Sequence, residues 1–170
     1  MAYDDAFGYW FSGFSDGESC FHGRMVKSPI GSPVIQVKFS IRLRADDHLI
    51  LEKIMRTLGV GKLKPYNPKD ESKNPSVEYA VDRCPDLRQV IIPHFEKYPL
   101  HTKKSKDFAI WKRLVLEYRI WGKQGIRLSK QTVNGARVLC EQLKQTRVFR
   151  LDEELSYKNE PLSDSQLPLW

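Results

Sequence analysis

A strict two-residue alternation over 36–44 is the feature that most restricts what this chain can fold into. Val37, Phe39, Ile41 and Leu43 occupy the odd positions, and Gln36, Lys38, Ser40, Arg42 and Arg44 occupy the even ones. Successive side chains of a strand point to opposite faces of a sheet. The pattern therefore predicts a strand with one buried face and one solvent-facing, largely basic face, as in a sheet that is packed on one side.

The remaining segments predict an α+β chain with the order αββαββα, followed by further helices. Apolar periodicity and turn residues mark the ends of each element. The first helix begins near Ala6, is capped by Asp4 or Asp5, and stops at Gly17. The other elements are marked by their apolar or alternating residues: a strand at His22, Arg24 and Val26; a helix at Leu49, Ile50, Ile54 and Leu58, capped by Asp46 or Asp47 and ended by Gly59-Val60-Gly61; strands at Lys62, Lys64 and Tyr66 and at Val77, Tyr79 and Val81; a helix at Leu87, Val90, Ile91 and Phe95; and two longer helices at Phe108, Trp111, Val115 and Tyr118 and at Val133, Ala136, Leu139 and Leu143.

The charge is unevenly distributed along the chain. The net charge is +7, yet five acids accompany a single base, Lys158, from Asp152 onward. We therefore expect one basic domain over 1–151 and an acidic, loosely ordered segment over 152–170. A basic domain favours a polyanionic partner, either a nucleic acid or an acidic membrane surface.

Cysteine spacing and apolar content exclude several classes of protein. Cys20, Cys84 and Cys140 are odd in number and contain no Cys-x-x-Cys pair, so a disulfide framework or a zinc site is not expected. No apolar run approaches the roughly 20 residues that span a bilayer, and the first residues lack the basic region of a signal peptide. We expect a soluble intracellular protein without a membrane partner; its compartment is left open.

The segment 11–19 carries a motif, Phe11-Ser12-Gly13-Phe14-Ser15-Asp16-Gly17-Glu18-Ser19. It resembles the signature of the LAGLIDADG homing endonucleases, Leu-Ala-Gly-Phe-x-Asp-Gly-Glu/Asp-Gly, and matches it at Gly13, Phe14, Asp16, Gly17 and Glu18. The similarity continues through 39–47, 58–61 and 98–108 and covers roughly residues 6 to 120. This resemblance implies the LAGLIDADG fold, in which two αββ halves form a curved antiparallel four-stranded sheet that binds double-stranded DNA.

The single motif implies a homodimer. Gly13 and Gly17 are four residues apart, so they share a helix face that another helix can approach closely. In the family this helix packs against its twin, and chains with one motif dimerise on a long, pseudo-palindromic DNA site. The resemblance therefore places Phe11, Ser12, Gly13, Asp16 and Gly17 at the dimer interface.

The resemblance also implies a metal-dependent active site where the two helix ends meet. Glu18 would be the direct metal ligand, helped by the Gly17 carbonyl, while Asp16 serves as a ligand or in packing. Hard divalent ions choose such oxygen ligands, so Mg²⁺ is expected, with Mn²⁺ substituting and Ca²⁺ binding without cleavage. Lys103, with Lys104 as its neighbour, and either Arg42 or Arg44 would complete the catalytic residues. Without the resemblance, Glu18 reads as an exposed acid at a helix end and the lysines as a solvated loop.

The outward faces of the four strands are expected to bind DNA, because a β-ribbon fits the major groove and basic side chains contact bases and phosphates there. The candidate DNA-binding residues are His22, Arg24, Gln36, Lys38, Ser40, Arg42, Arg44, Lys62, Lys64, Tyr66 and Glu78. The function implied is site-specific cleavage of double-stranded DNA that leaves short 3′ overhangs. The alternative is a non-cleaving protein of the same fold, an RNA maturase or a DNA-binding regulator.

Overall fold

The computed structural model describes residues 3–27, 33–68, 74–117 and 129–147. Helix α1 (Asp5–Glu18) begins where the side chain of Asp4 accepts a hydrogen bond from the Phe7 amide at 2.8 Å, which satisfies one of the free N–H groups of the first turn. It ends at Ser19, whose extended backbone (φ −82°, ψ 163°) is already the first residue of a strand. Because no loop separates helix from strand, Glu18 lies at the junction between them.

Four strands form one antiparallel sheet: β1 (Ser19–Lys27), β2 (Pro33–Arg44), β3 (Lys62–Tyr66) and β4 (Ser76–Val81). Their order is β1-β2-β4-β3, so two hairpins meet along β2 and β4 at the centre. The pairs Arg24↔Gln36, Arg42↔Glu78 and Lys64↔Glu78 join even-numbered residues throughout. Even positions therefore share one face of the sheet, which we call the open face, and odd positions share the other. The predicted α+β fold and its four-stranded antiparallel sheet are confirmed.

Helices cover the odd-numbered face. Helix α2 (His48–Leu58) follows a short 3-10 turn and ends at Gly59, whose φ of 69° is the left-handed conformation that glycine adopts without strain. Helix α3 runs over 84–97 and contains a single π-helical stretch, Leu87–Ile91, just before Pro93. Helices α4 (Lys104–Glu117) and α5 (Lys130–Gln145) complete the described part. The predicted element order is confirmed; Tyr118 and the segment 152–170 lie outside the described residues.

Asp47, one of the two residues expected to cap α2, is its N-cap residue, but by position only. Neither Asp46 nor Asp47 makes a capping hydrogen bond to this helix through its side chain. The carboxylate of Asp46 instead accepts two hydrogen bonds from the guanidinium of Arg44, one of them at 2.7 Å. A paired guanidinium competes for the same oxygens that would otherwise accept from the helix amides.

The core is built on aromatic rings from the odd-numbered face. Phe21 and Phe39, paired across β1 and β2, have centroids 5.3 Å apart, and Trp111 of α4 lies 5.1 Å from Phe21. All three side chains are buried. Gly23 of β1 admits α4 and α5 closely, since a Cβ there would lie 2.6 Å from Leu114 and 3.2 Å from Leu143. The two C-terminal helices are thus seated directly on the edge strand.

A buried hydrogen-bond chain joins α1 to the end of α3. The hydroxyl of Ser12 donates to the carbonyl of Tyr98 at 2.7 Å, so its oxygen accepts from Nε2 of His94 at 3.1 Å. Nδ1 of His94 then accepts from the hydroxyl of Tyr3 at 2.7 Å. Burial lowers the pKa of His94 to about 4, which keeps the imidazole neutral at pH 7.

The described cysteines, Cys20, Cys84 and Cys140, are all free thiols. Within the described segments, no helix is both long enough and apolar enough to cross a bilayer.

Candidate active site and nucleic-acid interface

The C-terminal end of α1 presents Glu18 to solvent. Within the described segments, the Glu18 carboxylate has no hydrogen bond or ion pair, and no group of three metal-ligating side chains occurs. The carbonyls of a last helical turn lack partners within the helix and carry its negative dipole end. Glu18 and the neighbouring Gly17 carbonyl are therefore an oxygen-rich end suited to a cation, but among the described residues the end of α1 supplies only one unpaired carboxylate, that of Glu18.

An exposed stripe formed by Tyr9, Gly13 and Gly17 runs along α1 towards Glu18. Gly13 and Gly17 are exposed, and a Cβ built at either would meet nothing within 4 Å. Tyr9, one turn earlier on the same face, is 63% exposed. This side of the helix is open to close approach by another backbone.

Phe11 and Ser12 lie on the opposite side of the helix and correct part of the expected dimer interface. Phe11 is 0% exposed and stacks on Phe95, with ring centroids 5.8 Å apart. Ser12 is 3% exposed, and its hydroxyl is hydrogen-bonded to Tyr98 and His94. Residues buried in the core of one chain cannot contact a second chain, so Phe11 and Ser12 are not part of the proposed interface.

Asp16 fastens the loop before α4 to the end of α1. Its carboxylate accepts from the amides of His101 (2.8 Å) and Thr102 (3.2 Å) and from the Thr102 hydroxyl (2.7 Å). Partial burial raises the pKa of Asp16, but the hydrogen bonds from His101 and Thr102 outweigh it and the pKa is lowered overall. Both oxygens are occupied, which favours a positioning role over metal ligation.

The two candidate lysines follow this loop at the start of α4. The amide of Lys104 donates to the Thr102 hydroxyl at 3.2 Å, and its ammonium donates to the carbonyl of Ser19, next to Glu18. The side chain of Lys103 is exposed. The structure thus brings Lys104 to the end of the motif helix, where its ammonium is bonded to the residue after Glu18, and shows no such contact for the Lys103 side chain.

Arg42 and Arg44 differ in their distance from Glu18 along the sheet. Ser19 pairs with Ile41, so Arg42 is level with the helix end, whereas Arg44 lies two residues beyond it, roughly 7 Å further at about 3.3 Å per residue. Arg42 lies over the Tyr66 ring at 5.3 Å and within 3.5 Å of Glu78, while Arg44 is held by Asp46. Arg42 is therefore the nearer candidate.

The expected DNA-binding residues all lie on the open face, but they are not equally accessible. Arg24, Arg42, Arg44, Lys62, Lys64 and Tyr66 are exposed, and His22, Gln36 and Lys38 are half-buried. Ser40 is 3% exposed, and its hydroxyl lies 3.1 Å from Nε2 of His22. Burial, followed by the positive charges of Lys38 and Arg147, lowers the pKa of His22 to about 4, so this ring is neutral at pH 7.

Glu78 is a buried acid at the centre of this basic face. It is 7% exposed and accepts from Lys38 at 2.7 Å, with Arg42 at 3.5 Å. Burial raises the pKa of Glu78, but the hydrogen bond and charge of Lys38, together with Arg42, lower it overall. Glu78 therefore organises its basic neighbours rather than projecting from the sheet.

Sequence reasoning missed the basic residues of the last helix. Arg137 and Lys144 of α5, with Arg147 after it, line the same groove as Arg24 and Lys38 of the open face; the groove has a volume of about 1140 Å³. The spacing of seven residues between Arg137 and Lys144 places them on one side of an amphipathic helix. That spacing is the signal that could have identified them.

Comparison with known proteins agrees with this geometry. The family model described as LAGLIDADG endonuclease matches residues 11–115. The probable intron-encoded endonuclease 2 of Neurospora crassa is 36% identical over 110 residues, which cover 62% of this chain and 23% of that protein. The probable intron-encoded endonuclease Cox1-I1b of Schizosaccharomyces pombe is 34% identical over 114 residues, covering 66% of this chain and 28% of that protein.

Solved structures show the same fold. I-SmaMI bound to an uncleaved DNA target in the presence of calcium ions superimposes with a TM-score of 0.67 at 25% identity, covering 81% of this chain and 44% of that one. I-LtrWI bound to target DNA gives 0.68 at 24% identity, covering 82% and 44%. The chain thus spans about a quarter of these curated relatives and less than half of these solved chains. The match over residues 11–115 nevertheless shows that the chain belongs to the LAGLIDADG endonuclease family.

Proposed function

We propose that this chain is one subunit of a site-specific endonuclease that hydrolyses phosphodiester bonds in double-stranded DNA with divalent metal ions. The observation that carries the proposal is the exposed, unpartnered carboxylate of Glu18 at the end of α1, one residue before the Ser19 carbonyl that accepts a hydrogen bond from the Lys104 ammonium. An acid and a fixed cation that are held at adjacent residues, at the edge of a basic sheet, suit a phosphodiester substrate.

The proposed active site needs a second motif helix. Among the described residues, the end of α1 offers one unpaired carboxylate, and the stripe formed by Tyr9, Gly13 and Gly17 is open to a partner. We assign this stripe to contact with the same helix of a second copy, which brings the two Glu18 side chains together across a two-fold axis. A homodimer of this kind would read a long, nearly palindromic site.

The residues present fit a hard divalent cation. Glu18 and the Gly17 carbonyl offer oxygen donors only, the ligands that Mg²⁺ and Mn²⁺ prefer, and the helix dipole adds to the attraction. A bound ion would supply Lewis-acid polarisation of the phosphodiester and an activated water. Ca²⁺, present with uncleaved DNA in the I-SmaMI structure, is expected to bind here without supporting cleavage.

Around the proposed cation site at Glu18, other side chains of this chain would position the scissile phosphate and neutralise its charge. The Lys104 ammonium, held by the Ser19 carbonyl, supplies a fixed positive charge, and the exposed Lys103 is its competitor for the same role. Arg42, level with the helix end, can contact the scissile phosphate or its neighbour. Asp16 holds the loop that precedes α4 and carries Lys103, through hydrogen bonds from His101 and Thr102. We expect cleavage across the minor groove with short 3′ overhangs.

The test is selection of cut sequences from a library of near-palindromic duplexes of about 20 base pairs, two turns of DNA. The wild-type protein is compared with Glu18→Gln in Mg²⁺, in Ca²⁺ and in EDTA. Cuts at one enriched sequence that need Mg²⁺ and vanish in Glu18→Gln support the proposal. An enriched sequence that the wild type binds but leaves intact in every metal would replace it with a non-cleaving regulator.

The lysine assignment is tested in the same assay with Lys103→Met and Lys104→Met. These variants remove the same charge from adjacent positions, so each is the matched control for the other. The contact with Ser19 predicts the larger loss of cleavage rate for Lys104→Met, while DNA affinity falls similarly in both. A larger loss for Lys103→Met would reassign the role to the exposed lysine.

A further inference from the structure

The last described helix forms one wall of a continuous basic groove with the open face of the sheet. The groove contains seven basic side chains and two acidic ones, Asp82 and Glu141. The basic residues include Arg24, Lys38 and Lys64 from the strands and Arg137, Lys144 and Arg147 from α5 and the turn after it. The excess of positive charge is therefore shared between two separate parts of the fold.

The position of this wall is fixed by packing. Gly23 lets Leu114 of α4 and Leu143 of α5 approach the backbone of β1. The indole of Trp111 donates to the carbonyl of His22 at 3.1 Å, and the guanidinium of Arg147 donates to the carbonyl of Phe21. These contacts tie both helices to the edge strand, so the basic side chains of α5 hold a defined place beside the sheet.

The charges on this wall are only weakly neutralised. Arg137 is exposed and has no ion pair within the described segments. Lys144 is 3.5 Å from Glu141, but both side chains are largely exposed, and surface pairs of this kind contribute little. Both bases are therefore available to an anion that enters the groove.

The groove also lies at a definite distance from Glu18. It is lined on β1 by the stretch from His22 to Met25, which begins four residues after Glu18 and ends seven after it. At about 3.3 Å per residue this is roughly 13–23 Å, which equals about four to seven base pairs of B-DNA at 3.4 Å each. A duplex whose scissile phosphate lies near Glu18 would pass this wall within its first turn.

We infer that α5 is a phosphate-binding wall, in which Arg137 and Lys144 contact the DNA backbone about half a turn from the point of cleavage. The inference rests on the proposed function, since it needs duplex DNA on the open face. It adds a binding site outside the strands that contributes affinity without reading sequence. Arg147 is assigned to anchoring the wall, because its guanidinium is already bonded to β1.

The experiment uses the full chain carrying Arg137→Gln and Lys144→Gln together. The matched control is Arg56→Gln with Lys112→Gln, which also removes one arginine and one lysine, from α2 and α4 outside the groove lining. Affinity for a duplex of about 24 base pairs, a little over two turns of DNA, and of arbitrary sequence is measured by fluorescence anisotropy between about 50 and 200 mM salt. Non-specific binding is suitable because it depends on phosphate contacts and needs no knowledge of the target.

Two lost phosphate contacts should reduce the slope of log K against log salt by about two in the groove variant, and weaken binding at 0.1 M salt by up to about 60-fold. The control variant should keep the wild-type slope. Equal effects in the two variants, or none in either, would overturn the inference while leaving the endonuclease proposal intact. If the wild type itself fails to bind duplex DNA, the proposed function fails, and the inference with it. Thermal melting of both variants checks that the fold is retained.

Discussion

Replacing Gly13 by alanine should make the single chain more stable but weaken the association of two chains. Gly13 is an exposed position inside α1, and the added Cβ meets nothing within 4 Å. Alanine is favoured over glycine in a helix interior by about 0.8–1.0 kcal/mol. Without a clash to offset this gain, the isolated chain should become more stable by nearly that amount.

The same substitution at Gly8, on the buried side of α1, should have the opposite effect. There the Cβ would lie 2.3 Å from Cζ of Tyr98, and the ring cannot easily move because its hydroxyl donates to Asp5 at 2.6 Å. Overpacking of about 1–3 kcal/mol outweighs the helix propensity, so Gly8→Ala should destabilise the chain by up to about 2 kcal/mol.

In the assembled protein, Gly13→Ala should weaken association. If two α1 helices pack at Gly13, the added methyl groups force them apart. A loss of about 2 kcal/mol would raise the dissociation constant roughly 30-fold. Urea unfolding at concentrations where the wild type is monomeric gives the first quantity, and sedimentation equilibrium gives the second.

If Gly13→Ala stabilises the chain yet associates as tightly as the wild type, subunits do not meet at this stripe. If the substitution destabilises the monomer, Gly13 does not face open space in the folded chain. Agreement of Gly8→Ala with its own prediction would show that the steric argument holds on the same helix.

Three further changes have defined outcomes. Glu78→Gln removes the acid shared by Lys38 and Arg42, so non-specific DNA affinity should rise several-fold and the salt slope should steepen; an unchanged slope in anisotropy would contradict this. Asp16→Ala removes the acceptor of two backbone amides, so those of His101 and Thr102 should lose hydrogen-exchange protection by about 1–2 kcal/mol, whereas amides in β2 keep theirs. His94 is neutral in the folded chain with a pKa of about 4 against 6.5 when unfolded, so its stabilisation is complete above pH 6.5 and is lost progressively as the pH falls from 6.5 to 4. The loss is about 3 kcal/mol and should appear as a lower urea midpoint. The measurement uses a His22→Gln background, because His22 has the same lowered pKa and would contribute as well. A midpoint unchanged between pH 6.5 and 4 would contradict this prediction.

Local patterns were sufficient for the strands and helices. The alternation over 36–44 predicts both the strand and its basic face, because the face to which a side chain points changes at every residue of a strand. The motif likewise placed Glu18 at the junction of α1 and β1. Patterns of this range could not reveal that β4 lies at the sheet centre, and this position is what buries Glu78 among the side chains of β2 and β3.

Contacts between distant parts of the chain required the structure. Asp16 accepts from Thr102, 86 residues away, and Lys104 donates to Ser19, 85 residues away. The motif grouped Phe11 and Ser12 with Gly13, but only the packing of α1 shows which side of the helix the core covers. No short-range signal distinguishes a carboxylate that holds a loop from one that holds a metal.

In all four strands the even-numbered residues lie on the open face, so substitutions there and insertions within a strand have different consequences. Substitutions at even positions such as Arg24 and Lys64 alter what the open face can recognise while the odd-numbered core stays intact. Ser40, Glu78 and Ala80 are exceptions, because all three are buried and the first two are also bonded to their neighbours. If the open face binds DNA as proposed, point mutations at these positions can change the sequence it recognises without changing the core. Inserting or deleting one residue within a strand would instead exchange its two faces and disrupt both.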